Sequence, residues 1–227
     1  MPERVRQTVG DHIVRLQRGY LADESYAVGA LARLRRGAGK EPHQVPDLLG
    51  LVDTGGLYDP AADSGRRPRE EDLARAEDAV HVALTLWALH QQSRSTGMHQ
   101  PHHRDKPAGL GAAVRRLMPA GDIDEAVLKR LVRAGTAPHL GALAQRLREI
   151  VMLLRRDDLP MDYTLLAGQL YLWQLPGGRE AVRRAWGRSF HAYRAPNKNG
   201  AGTEGPAGTT SAATTDPVSD STVKDAS

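Results

Sequence analysis

Between Leu140 and Arg156, apolar side chains return every three or four residues: Leu140, Leu143, Leu147, Ile150, Val151 and Leu154. At about 3.6 residues per turn, this spacing puts all six on one face of a helix, and such a stripe needs another surface to cover it. Arg155 and Arg156 follow at the end where the helix dipole favours cations. The same periodicity runs through most of the chain. Val5, Val9, Ile13, Leu16 and Tyr20 predict one helix. A second is predicted from Tyr26 to Arg36, with Val28, Leu31 and Leu34 inward and Gly37 as its stop. Composition agrees: apolar residues make up 40% and aromatics only 4%. The core must therefore be mostly Leu, Val and Ala, which favours helix over sheet.

Further along, Asp47–Val52 predicts a short helix after Pro46, and Tyr58–Pro68 reads as a loop. The longest helix is expected from Arg69 to Gln92, with Leu73, Ala76, Val80, Ala83, Leu84 and Trp87 as its stripe. A polar, His-rich loop covers Ser93–Ala108, followed by a short helix carrying Val114 and Leu117. Asp122 or Asp124 can cap the next helix, which carries Val127, Leu128, Leu131 and Val132 and ends at Gly135. Asp162 caps a helix with Leu166, Leu170 and Trp173; Pro176–Gly178 breaks the chain before a last helix with Val182, Trp186 and Phe190. No segment alternates with period two for long enough to require a strand. The expectation is an all-α helical bundle of two packed lobes, residues 1–108 and 109–194. Residues 195–227 contain no Leu, Ile or aromatic residue and are expected to be a disordered tail.

The absence of cysteine excludes disulfides and thiolate metal sites. The first residues are polar, without the apolar core of a signal peptide, and the apolar run Ala79–Leu89 is too short to cross a bilayer. A soluble, cytoplasmic protein with no membrane partner is expected. The net charge is +4; the tail's two Lys and four Asp and Glu contribute −2, so the body carries +6. Such an excess permits a polyanionic partner.

Three groups of residues could carry chemistry. His90, His99, His102 and His103, with Asp105 beside them, offer metal-ligand types. Their spacing fits no standard pattern, however, adjacent His102 and His103 are awkward as joint ligands, and a polar interhelical loop accounts for the segment without a metal. No metal or cofactor is expected. Adjacent carboxylates, Asp157 with Asp158 and Glu70 with Glu71, point about 100° apart on a helix and do not converge on one bond. No nucleophile elbow or phosphate-binding glycine loop is present, and the Gly55 and Gly177 pairs read as turns. The chain is expected not to be an enzyme.

Basic clusters are the strongest group. Arg33, Arg35 and Arg36 end the second helix, with Lys40 after them. Arg104 and Lys106 lie in the central loop, and Arg115 and Arg116 follow it. Lys129, Arg130 and Arg133 share one helix; Arg146 and Arg148 lie on the polar side of the next. Such cations bind phosphates with salt-sensitive, largely sequence-independent affinity. With one Phe and six Tyr, base stacking is not the expected mode. Trp87, Trp173, Trp186 and Phe190 sit on apolar stripes and read as core.

Several blocks together resemble a known family: LTLWALHQQS (84–93) with the His/Arg loop after it, GLGAAVRRL (109–117), residues 124–156, MDYTLLAGQLYLWQ (161–174) and VRRAWGRSFH (182–191). In order and spacing they resemble the CasB family, the small subunit of the type I-E CRISPR complex Cascade. The resemblance implies an all-helical, non-catalytic antiviral-defence protein. Its implied partners are crRNA and target DNA, the backbone and large subunits of the complex, and a second copy of itself. Sequence would be read by base pairing with the guide, leaving backbone and shape contacts to the protein. The resemblance supports Arg35, Arg36, Arg133 and Arg146 as nucleic-acid contacts. Arg33, Arg104, Lys106, Lys129 and Arg130 join them by position and charge. Two other readings remain open from the residues alone: a helix-turn-helix DNA-binding regulator, and a metal-dependent hydrolase built on the His-rich loop.

Overall fold

In the computed structural model, residues 1–48, 50–58 and 68–193 are described. They are helical, with a single isolated bridge, His99 to Met161, as the β-type pairing among them. In chain order the helices are α1 (Pro2–Leu21), α2 (Ser25–Leu34), α3 (Gly55–Tyr58), α4 (Glu70–Gln91), α5 (Leu110–Arg116), α6 (Glu125–Gly135), α7 (Leu140–Arg156), α8 (Tyr163–Trp173) and α9 (Gly178–Ala192). Short 3-10 turns lie at Arg35–Gly37, Pro42–Gln44 and Pro46–Leu48. None of the described helices is long and apolar enough to cross a membrane.

The termini follow local chemistry. Pro2 opens α1, where its missing N–H is not needed. Asp124 caps α6 by accepting from the amides of Ala126 and Val127, and Asp162 caps α8 by accepting from Leu165. Of the two capping candidates, Asp122 instead accepts from Ile123 N at 2.8 Å. α7 is capped by His139, whose Nδ1 accepts from Ala142 N at 3.2 Å.

α4 is the hub. From Val82 to Gln91 it is buried without a break, because α1, α2, α7 and α8 surround it. α8 is similarly enclosed between α1, α4 and α9. One continuous apolar cluster runs from Val5 to Phe190 and includes Trp87, Trp173 and Trp186. The described residues lie within one compact unit, Met1–Ala195, and helices from both sides of residue 108 share that core.

Several expectations need correction. Val28 is 37% exposed; Ala27, Ala30, Leu31 and Leu34 form the inner face of α2 instead. Helix α2 stops at Leu34, and the chain tightens into a 3-10 turn through Arg35 and Arg36. The Gly55–Gly56 pair opens a helical turn. The helix expected at 47–52 reduces to the 3-10 turn Pro46–Leu48. Val132, on α6, is 55% exposed. Most of the loop expected at 58–68, and the tail expected at 195–227, lie outside the described residues.

Candidate nucleic-acid interface

The first basic cluster stands where α2 ends. Arg33, Arg35 and Arg36 all face solvent, and Arg36 Nε donates to the Ala32 carbonyl at 3.4 Å. The chain then turns at Gly39, whose φ of +80° is a left-handed conformation that glycine adopts without steric cost. A Cβ there would meet Arg148 Cδ at 3.0 Å and the Gln145 Cα at 3.6 Å. The turn carrying Lys40 therefore rests on the outer side of α7, against the stem of Arg148. His81, on α4, holds the same turn through its Nε2, 3.2 Å from the Lys40 carbonyl.

On the other flank of α7 lies α6. Arg146 donates to the carbonyl of Arg133 in the last turn of α6, where helix carbonyls lack internal partners. Arg130 pairs with Glu149 of α7 at 3.2 Å, while Lys129 pairs with Glu125 on its own helix at 3.5 Å. Arg183, on α9, lays its methylenes over Gly135 at the end of α6. Sequence reasoning did not single out Arg183. Only the packing of α9 against α6 places it here, and no local pattern in VRRAW announces that.

Cations from four separate segments thus gather around α6 and α7: Arg183 over Gly135, Arg146 on the Arg133 carbonyl and, about 200° around α7 from Arg146, Arg148 against the turn of Lys40. Glu125 and Glu149 partly offset Lys129 and Arg130. These exposed pairs hold side chains loosely and are worth little individually.

Arg104 and Lys106 do not join this group. Their loop is exposed but anchored beyond the other end of α7, near Met161 and Asp162. Gln100 N donates to the Met161 carbonyl at 3.1 Å, and His102 N to the Asp162 carboxylate at 2.8 Å. Arg115 and Arg116 also turn inward to carbonyls, of Pro119 and Pro160 respectively. Burial lowers the pKa of Arg116.

Of the loop-region histidines, His90, His99 and His102 are held by different atoms of the same short segment rather than by one another. His90 Nδ1 lies 2.8 Å from the Tyr163 hydroxyl inside the core. His99 Nδ1 accepts from Tyr163 N at 3.2 Å, and His102 Nδ1 from Ala108 N at 3.1 Å. His103 is exposed. Among the described residues, no three His, Asp or Glu side chains gather as metal ligands.

Comparison with known proteins places the chain in a family. No match is found among curated proteins. The crystal structure of CasB from Thermobifida fusca is similar, with 50% sequence identity and a TM-score of 0.72, covering 83% of this chain and 98% of that one. The family described as CRISPR-associated protein Cse2 matches residues 30–191, which span α4 to α8 entirely and nearly all of α9. The chain belongs to the CRISPR-associated Cse2 family.

Proposed function

We propose that this chain is the non-catalytic small subunit of a type I-E Cascade complex and grips the sugar–phosphate backbone of nucleic acid along the cationic group beside α7. Membership of the Cse2 family makes it a Cascade subunit. The observation that carries the finer reading is the convergence of Arg133, Arg146, Arg148 and the Arg36–Lys40 turn from separate segments onto one helix. Local sequence does not require that convergence. Fixed cations on a rigid body neutralise phosphates without reading bases, which suits a complex whose guide RNA already selects the sequence. R-loop formation is a nearly balanced exchange, so a few cations placed along the opened strands shift it measurably. Arg104 and Lys106, at the other end of α7, provide a second point of attachment in this reading. The crRNA, the target DNA, the backbone and large subunits and a second copy of the chain are its partners.

The test is target-DNA binding by the assembled complex at several salt concentrations. Replacing Arg35, Arg36, Arg133 and Arg146 with Gln is expected to weaken retention and to reduce the salt slope by about one for each phosphate that is no longer neutralised. Gln at position 146 retains a donor for the Arg133 carbonyl, which separates charge from packing. An unchanged affinity and slope overturns the reading.

A further inference from the structure

We infer that the cleft between α4 and the turns at 42–48 receives an arginine side chain carried by a partner protein. The cleft encloses about 440 Å³, which is within the range of roughly 300–1,000 Å³ typical of binding pockets. Its walls are apolar: Pro42, Val45, Pro46, Leu48, Val52 and Val80. At one side stand two consecutive carboxylates of α4, Glu77 and Asp78, with His81 one turn on.

Charge sets this cleft apart. The chain holds 31 Lys and Arg, yet none lines the cleft among the described residues. Glu77 accepts from the Tyr58 hydroxyl, and nearby Glu41 lies 3.5 Å from His43. Asp78 has no hydrogen-bond or ion-pair partner among the described residues. Burial first, then the charges of Glu41 and Glu77, raise its pKa. A smaller adjoining cavity of about 200 Å³ shares His43 and Asp78, is also lined by Lys40 and Glu41, and reaches the start of α7 at Leu140 and Gly141. The Asp78 carboxylate therefore borders two cavities and is repelled by Glu41 and Glu77, with His43 partly offsetting them.

A guanidinium fits this setting. It is planar and weakly hydrated, and presents a fork of donors to the two oxygens of a single carboxylate, here Asp78, while its methylene stem packs along apolar walls. Arginine is also enriched at the cores of protein interfaces. Phosphates are repelled by the same carboxylates, so the cleft is distinct from the cationic group beside α7, and neither reading depends on the other.

The full chain, labelled with ¹⁵N, is titrated with N-acetyl-arginine N-methylamide, its citrulline counterpart and spermidine. The arginine derivative is expected to shift the amides of Val45, Leu48 and Asp78, and the uncharged citrulline compound is not. Asp78→Asn is expected to weaken binding about tenfold or more, as loss of a charge-assisted hydrogen bond implies. It should leave the melting temperature equal or higher, because the carboxylate it removes is repelled in the free protein. Val52→Lys places an ammonium in the cleft and is expected to block the arginine derivative. Equal shifts with citrulline, equally tight binding of spermidine, undiminished binding in Asp78→Asn, or a fall of several degrees in its melting temperature each overturn the proposal.

Discussion

His90 shows how far one residue's meaning depends on partners remote in sequence. It looks like a member of a histidine cluster with His99, His102 and His103, because all four lie close along the chain. In the fold it is in the interior end of α4, edge-on to the Tyr163 ring with centroids 5.9 Å apart. Burial, with Arg94, Arg155 and Arg116 adding to it, pushes its pKa down to about 3 against the opposing Leu154 carbonyl. Above about pH 6.5 it is neutral in both folded and unfolded chains and costs nothing. As pH falls below that value, the unfolded chain takes up a proton that the folded chain refuses. Stability then drops by roughly 1.4 kcal/mol per pH unit until the folded value is reached. His81 and His99, also lowered chiefly by burial, act in the same direction. His90→Gln keeps an acceptor for Tyr163 but removes this titration. The loss of unfolding free energy between pH 7 and pH 4.5, measured with urea, is expected to shrink by about 2 to 3 kcal/mol in the variant. An equal loss in both proteins would contradict the assignment.

At the scale of elements, helix faces were legible because a period of 3.6 is local information. The stripes of α1, α4, α7, α8 and α9 carry the buried residues expected of them. Where sequence reading failed, the deciding neighbours came from elsewhere. Val28 is apolar and in register, but the small Ala27 and Ala30 are what fit against the neighbouring helices. The crossing of α5 and α9 gives no signal beyond a glycine inside a helical pattern. A Cβ on Gly111 would lie 2.0 Å from the Trp186 carbonyl oxygen and 2.8 Å from Phe190 N. Those are backbone atoms in the second half of α9, so no rotamer change relieves the clash. Ala112 N, next in the chain, donates to Ser189 Oγ at 3.2 Å and fixes the same approach. Gly111→Ala favours α5 intrinsically by up to about 1 kcal/mol. It nevertheless must separate the two helices, and overpacking of this kind typically costs about 1–3 kcal/mol or more. A net loss of at least about 2 kcal/mol in a denaturant titration is expected. A neutral or stabilised variant would mean that the two helices are not so close.

At the scale of the whole molecule, the all-helical class was visible from composition and periodicity, and the family from the order of several blocks. The grouping of cations beside α7 was not. Arg133 and Arg146 could be nominated one by one, but their contact arises only when α6 and α7 pack together, and the turn of Lys40 meets Arg148 only through Gly39. Residues 195–227 lack the large apolar side chains that offset chain entropy, which is why the sequence alone sets an expected boundary there. The comparisons bear on the length of chain that the family shares. The family match ends at residue 191, and the Thermobifida fusca structure is covered over 98% of its length by only 83% of this chain. The buried cluster likewise closes on Phe190, in the last turns of α9. A chain cut after Arg194 therefore keeps that cluster whole. Its melting temperature is expected to lie within about 2 °C of the full chain's, equivalent to less than about 1 kcal/mol for a domain of this size. The tail's negative charge also leaves with it, so the cut chain should hold target DNA at least as tightly within the complex. A melting temperature lowered by 5 °C or more, on the order of 1–2 kcal/mol, would show that the tail belongs to the folded body after all.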